Sequence, residues 1–359
     1  MDKNALLYYQ SARALKLPTV LVKQIDGFEI KLGKRRYYFR GVLTPFNHSS
    51  SISIASNKYC MNKVLSAAGF PMPNADAFSK EQFEKQKIES LIEHLNFPLV
   101  VKPTSETALG MDVICNITNV AQLTACMKER YQRHKFLSVE EFHSGLSSYR
   151  VLVFYNRVIG VVQRFSARVI GDGIHSINEL ISIKNISREK IQQTVTLGPI
   201  KLDEESIARL NRLKITPDTI PKDKETIVLC YTCNASRGGT MKSLGKEICA
   251  ENARLLCRAA NVLGLNFVGF DVECEDILIP IETSGGVIIE ANYNPDISIH
   301  ENPMAGIQTQ VTKKMLGRLI LRHPFSYLLE LHKTKSGSFY IKFSLIAFIF
   351  YCMEIIKRV

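Results

Sequence analysis

Over 359 residues no segment is stripped of apolar side chains, so none reads as disordered. Apolar residues make up 46% and charged residues 22%, as in a folded chain with room for two or three lobes. Residues 1–10, MDKNALLYYQ, lack the combination of a charged start followed by an apolar run and a small-residue cleavage site, and no signal peptide is expected. There is no RNP pattern, no zinc-finger spacing and no basic amphipathic helix with interleaved aromatics, which leaves nucleic acid with little beyond net charge to support it. Nine cysteines, an odd number scattered along the chain, suggest free thiols in a reducing, cytoplasmic setting. Cys230 and Cys233 have CxxC spacing, but no second pair or ligand-spaced histidines accompany them. They read as two small residues of a strand or loop rather than a zinc site. Acidic residues are the scarcer sign, 34 against 46 Lys and Arg, for a net charge of +12. The excess favours anionic partners without choosing among nucleotides, acidic metabolites and lipid.

What is present reads as α+β, with neighbouring antiparallel strands rather than a βαβ alternation. Short strands are expected around 28–30 and 37–39, with the basic residues Lys31, Lys34, Arg35, Arg36 and Arg40 on a solvated hairpin. Met61, Val64, Leu65 and Ala68 mark one face of a helix over 57–68, stopped by Gly69, Pro71 and Pro73. A second helix opens on a capping box, Ser79 and Gln82, and carries Ile88, Leu91, Ile92 and Leu95 on one face. Strands follow over 99–101, 111–115, 136–139, 151–155 and 158–164, the last two joined by a tight turn at Asn156-Arg157. After a polar middle with a helix over 177–184, a helix over 251–263 is expected to bury Ala253, Leu256, Cys257, Ala260 and Leu263. Strands over 267–272 and 287–291 close this part.

The sharpest chemical signal lies on those last strands. Glu290 and Asn292 project from one strand face, with Ala291 opposite. If the two strands pair as a hairpin, Asp271 can join them, giving two carboxylates and an amide oxygen, a set suited to Mg²⁺ completed by phosphate and water. Each alone would pass for a strand-end polar group; together they point to metal. Lys102 ends a buried-looking strand just before a small-residue loop, where a compact positive charge can meet phosphate.

Taken in order, Asn57-Lys58, Val100-Val101-Lys102-Pro103, Val139-Glu140-Glu141-Phe142, Gly171-Asp172-Gly173-Ile174-His175, Asn234-Ala235-Ser236-Arg237-Gly238-Gly239 and Glu290-Ala291-Asn292 resemble the ATP-grasp superfamily. Within it the pattern is similar to the glutathione-synthetase module of bifunctional glutathione synthetases and the ATP-grasp part of cyanophycin synthetases, over about residues 50–320. The resemblance implies an α+β ATP-grasp fold, two lobes clasping ATP, with lobes over 51–140 and 141–325, a short α/β segment over 1–50 and a tail over 326–359. It implies a carboxylate–amine ligase that forms an amide through an acyl phosphate and releases ADP and phosphate. Lys58 and Lys102 would hold ATP phosphates, and a loop ending at Gly110 would close over them. Glu140, Glu141 and the backbone by Phe142 would bind the nucleotide at its adenine. Asp271, Glu290 and Asn292 would bind two Mg²⁺ ions, with Mn²⁺ as a substitute. Arg164 would face substrate, and the loop carrying Asn234, Ser236 and Arg237 would shape the acceptor pocket and stabilise the acyl phosphate. The implied substrates are a small carboxylate and an amine, amino acid or short peptide, and related enzymes form homo-oligomers.

The pattern departs from its relatives in three places. The loop over 105–110 is one residue short and has Ala108 where glycine is common. Leu146-Ser147-Ser148 stands where a ribose-binding glutamate is frequent. Cys230 occupies a position often held by arginine, while Arg237 sits inside the loop. With no ligase module recognised before or after it, the chain reads as a stand-alone enzyme. Its tail, FYIKFSLIAFIFYC over 339–352, is short for a bilayer span. It reads either as a packed terminal helix or as a contact with the inner membrane surface or another copy. Two other readings stand beside the ligase: a non-catalytic ATP-binding module attached to membrane, and, on charge alone, a nucleic-acid binder.

Overall fold

The computed structural model describes residues 1–105, 112–191 and 197–356. In chain order these hold α1 (Lys3–Ala14), β1 (Thr19–Val22), β2 (Gly27–Leu32), β3 (Arg35–Phe39), α2 (Ser49–Ser56), α3 (Lys58–Ala67), β4 (Ala75–Ser79), α4 (Lys80–Lys85), α5 (Ile88–Leu91), β5 (Leu99–Pro103), β6 (Ile114–Ile117), α6 (Val120–Arg130) and β7 (Phe136–Glu141). There follow β8 (Ser147–Phe154), β9 (Val158–Phe165), β10 (Arg168–Ile170), α7 (Ile177–Ile191), α8 (Glu204–Arg212), β11 (Thr226–Val228), β12 (Thr240–Gly245), α9 (Ala250–Val262), β13 (Phe267–Cys274) and β14 (Val287–Asn292). The chain then runs through α10 (Ser298–Glu301), β15 (Gly306–Ile307), α11 (Val311–Arg322), α12 (Pro324–His332) and α13 (Lys335–Ile356).

These elements form two compact units. One gathers Met1–Pro45, Asp296–Glu301 and Gln310–Val359; the other holds Phe46–Pro295 and Asn302–Thr309. In the first, β1-β2-β3 make an antiparallel sheet. The basic cluster lies on the β2–β3 hairpin, with Arg36 paired to Glu29 at 3.0 Å. Tyr8 packs tilted against Phe39, which lies flat on Phe28.

The second unit carries two main sheets. One has the order β4-β7-β5-β6 and the other β14-β13-β8-β9-β12-β15. Strand alternation divides each between core and chemistry. Leu99 and Val101 of β5 and Leu137 and Val139 of β7 face a core shared with Leu123 and Met127 of α6. In the larger sheet, Tyr149, Val151, Val268, Phe270, Val272 and Ala291 face α3 and α9. The residues between them point the other way. A smaller core beneath α7 and α8 supports the antiparallel β10–β11 pair.

Local expectations meet two corrections, and one open alternative is narrowed. The helix expected after Ser79 is two helices, because Gln86 and Lys87 are extended. The capping box does form, and the break turns Ile88, Leu91, Ile92 and Leu95 onto the core around Leu99. On α9 the buried stripe is Leu255, Leu256, Ala259 and Ala260 rather than one starting at Ala253. Buried Asn252 sets that rotation: its amide donates to Ile277 and Ile279 carbonyls and accepts from Ile281 N–H, each at 2.8 Å. Of the two readings left open for the tail, a packed helix is not supported: the large apolar side chains of α13 among the described residues are exposed. Among the described residues no single helix is long and apolar enough to cross a membrane.

Candidate active site

The β13–β14 hairpin forms, and its register sets Asp271 opposite Glu290 and Gly269 opposite Asn292. Across β13's other edge Asp271 meets Arg150 of β8. Arg150 grips the Asp271 carboxylate through Nε and, at 3.0 Å, Nη2. Arg164 of β9 adds a bond from Nη1 at 2.8 Å and reaches Ser148 Oγ with Nη2 at 2.9 Å. Its Nε is buried with no partner among the described residues. Burial alone would raise the Asp271 pKa; the two guanidinium groups outweigh it and hold the carboxylate below its ordinary range.

Lys102 and Glu140 come from β5 and β7, on the face opposite the core. Their side chains meet at 2.7 Å, both buried, and Ser138 Oγ donates to the same carboxylate at 3.0 Å. Burial opposes the Lys102 charge, but Glu140, with Glu290 adding to it, raises its pKa above the ordinary lysine value. Lys58 stands at the N-terminus of α3, where its N–H donates to Thr104 O at 2.9 Å. Its ammonium lies 3.7 Å from Glu290 Oε1. Lys58, Lys102, Glu140, Glu290 and Asp271 are thus linked in one charged face.

The other expected positions are arranged differently. The Glu141 side chain accepts from Asn74 and Asn96, strapping strand β7 to the turn before β5. Phe142 donates its N–H to Pro98 O at 2.8 Å and sets its ring edge-on to Tyr231. Gly110 lies outside the described residues. Arg237 is held by Asp203, by Glu205 at 2.8 Å and by Thr232 at 3.0 Å. Burial opposes its charge, yet the two carboxylates raise its pKa further. Around it, Asn234 O accepts the N–H groups of Arg237 and Gly239, while Ser236 Oγ is buried with no hydrogen-bond partner among the described residues. Gly238 supplies the left-handed step of this loop, at φ 92°.

Four contributors were not expected from sequence. Arg150 is a lone charge in an apolar strand, visible in alternation yet unreadable without the β8–β13 pairing. Glu205 fixes Arg237 from a helix far along the chain. Arg188 of α7 is buried and donates to the carbonyls of Gly198, Gly239 and Ala235 at 2.9, 3.1 and 3.1 Å. Glu273 lies two residues beyond Asp271 and opposite Ser148.

Burial pushes the Glu273 carboxyl up to about 7; Arg164 opposes the rise, Asp271 adds to it and Lys102 opposes it. The folded state therefore holds a proton, between the ordinary value of 4.5 and about 7, that the unfolded chain releases. Its contribution to stability falls as pH rises through that window. In urea unfolding of metal-free protein at pH 8, Glu273→Gln is expected to be more stable than the parent by about 2–3 kcal/mol, with the gain vanishing near pH 4. A variant no more stable at pH 8 than at pH 4, relative to the parent, would refute this.

The oxygens fit a hard divalent cation. Asn292 donates its amide to Gly269 O at 3.4 Å, which leaves Oδ1 as an acceptor beside Glu290. Among the described residues no three His, Cys, Asp or Glu side chains form a ready cage, so phosphate and water would have to complete the shell. Of the CxxC pair, Cys230 is buried in the α7–α8 core and Cys233 Sγ sits 3.3 Å from Ser166 Oγ.

No protein-family model matches the chain. It is 27% identical over 311 residues to a cyanophycin synthetase of Crocosphaera subtropica, covering 86% of this chain and 35% of that protein. It is 29% identical over 274 residues to the glutathione biosynthesis bifunctional protein GshAB of Enterococcus faecalis, covering 73% of this chain and 35% of that one. The chain thus spans about a third of the length of these curated relatives. A bifunctional glutathione synthetase from Pasteurella multocida superposes with a TM-score of 0.62 at 25% identity, covering 90% of this chain and 44% of that one. The chain resembles the cyanophycin synthetases and bifunctional glutathione synthetases, and it has the ATP-grasp fold.

Proposed function

We propose that the chain is an ATP- and Mg²⁺-dependent ligase joining a small carboxylate to an amine, amino acid or short peptide. The observation that carries this is the linked face on which Lys58 reaches Glu290 at 3.7 Å and Glu290 pairs in register with Asp271. Phosphate-binding cations and hard oxygen donors are there side by side.

Lys58 and Lys102 bind the ATP phosphates and draw charge from the oxygens of the transferring group. Glu290, Asn292 and Asp271 would hold Mg²⁺, which when bound neutralises the phosphate charge that gathers during transfer. Arg164, held on the same face as Asp271 by Asp271 and Ser148, would meet the acid substrate. The γ-phosphoryl group moves from the ADP oxygen to a carboxylate oxygen, giving an acyl phosphate and ADP. The amine nitrogen then attacks the acyl carbon; the C–O bond breaks, its electron pair leaves with phosphate, and the amine loses a proton. Arg188, through the backbone around Gly239, keeps the 234–239 loop in shape for the acceptor.

Phosphate release from Mg-ATP, measured over a panel of amino acids, γ-glutamyl peptides and N-acetylated peptides, tests the reading. Release is expected only with a matched acid and amine, and to fall about 100-fold or more in Glu290→Ala. ATP binding without turnover over the whole panel would overturn it in favour of a non-catalytic nucleotide-binding module.

A further inference from the structure

Helices α12 and α13 carry none of the residues described at the candidate site. Helix α13 exposes large apolar side chains on every side: from Phe339 through Ile355 those of greatest size are 46% to 65% exposed. A helix apolar all round belongs in a core or in lipid, because no rotation hides its surface from water. Helix α12 adds Phe325, Leu328 and Leu329 to the exposed set. The two helices meet at 116°. Gly337 fixes that corner, since a Cβ there would lie 2.1 Å from Leu331 O. Thr334 Oγ1 ties it further, accepting from Gly337 N–H and donating to Leu331 O.

Charge selects the occupant. Residues 310–359 hold nine Lys and Arg against two Glu, a surplus of seven out of the chain's +12. Lys313, Lys333 and Lys342 are among the exposed cations. Two identical copies would bring like charge against like. An anionic lipid surface supplies both opposite charge and an apolar layer for the aromatic side chains.

We infer that the α12–α13 corner is a membrane anchor, inserting its apolar side chains into an anionic bilayer from one side while the cations of α11 and the helix ends meet the headgroups. This does not depend on the ligase reading.

The test is flotation of the full chain with vesicles of phosphatidylcholine alone or mixed with phosphatidylglycerol. Binding to the mixed vesicles is expected to be about tenfold or more tighter than to phosphatidylcholine, and to weaken with added salt. Phe343→Glu with Phe350→Glu is expected to abolish flotation on both, with the melting curve and ATP binding of the parent retained. Lys313→Glu with Lys342→Glu should remove the preference for phosphatidylglycerol. No flotation on either vesicle overturns the anchor, as does flotation that survives the Phe343 and Phe350 changes. Concentration-dependent dimerisation without flotation, lost in the same double variant, also overturns it and assigns the helices to a second copy.

Discussion

Asp271→Asn is expected to lower ATP turnover by about a hundredfold or more and to destabilise the fold by about 3 kcal/mol. The two losses have one cause. The carboxylate is the shared partner of Arg150 and Arg164, and asparagine leaves two largely buried guanidinium groups facing an uncharged amide. It also replaces an anionic ligand proposed to meet the cation by a neutral amide oxygen. Acid should act in the same direction: this contribution to stability is fully present above the ordinary carboxylate value of 3.8 and is lost as pH falls toward the depressed folded value. A second substitution separates the effects. Adding Arg150→Met to Asp271→Asn should recover part of the stability, because one buried charge that lost its carboxylate is gone, without recovering turnover. Full activity in Asp271→Asn would exclude the residue from the proposed metal face. Wild-type stability would show that the ion pairs add nothing.

Arg188→Met should be the most damaging change outside the charged face. The guanidinium donates to three carbonyls on two separate stretches of backbone, and methionine of similar reach offers them nothing. Leaving such groups buried and unpaired is expected to cost about 3–4 kcal/mol, read by urea or thermal unfolding. Turnover should fall as well, because Gly198, Ala235 and Gly239 define the 234–239 loop. Arg188→Lys keeps the charge but lacks the planar fork, so an intermediate loss is expected. Limited proteolysis adds a local readout, with cleavage near 234–239 expected to appear in Arg188→Met before global unfolding. Parent-like stability and protection in that variant would sink the idea that this arginine holds the loop.

Much of the scaffold was legible because its signals are local. Alternation along 99–103 and 136–141 separates the apolar positions from Lys102 and Glu140, and the structure keeps that division. The Ser79–Gln82 capping box was equally plain. The break at Gln86 was not, since tertiary burial of Ile88 and Leu91 overrides a continuous helical pattern. Asn252 shows the same limit: a polar residue rotates α9 through bonds to backbone about thirty positions away. In the site, Asp271, Glu290 and Asn292 could be placed on neighbouring strands from alternation. Arg150 and Arg188 could not, because their meaning lies in which strand or loop arrives beside them.

The pairings on the linked face also bear on how nucleotide enters. Lys102 lies against Glu140 and Lys58 against Glu290, so each lysine there already has an anion, while two arginines share Asp271. The surplus positive charge of the chain is concentrated instead in residues 310–359. ATP arriving at the proposed site would therefore find both lysines already neutralised by carboxylates. Its phosphates must displace carboxylates from their lysines, so that binding is an exchange of partners, and the displaced Glu290 becomes available to a cation only as the phosphates take its place.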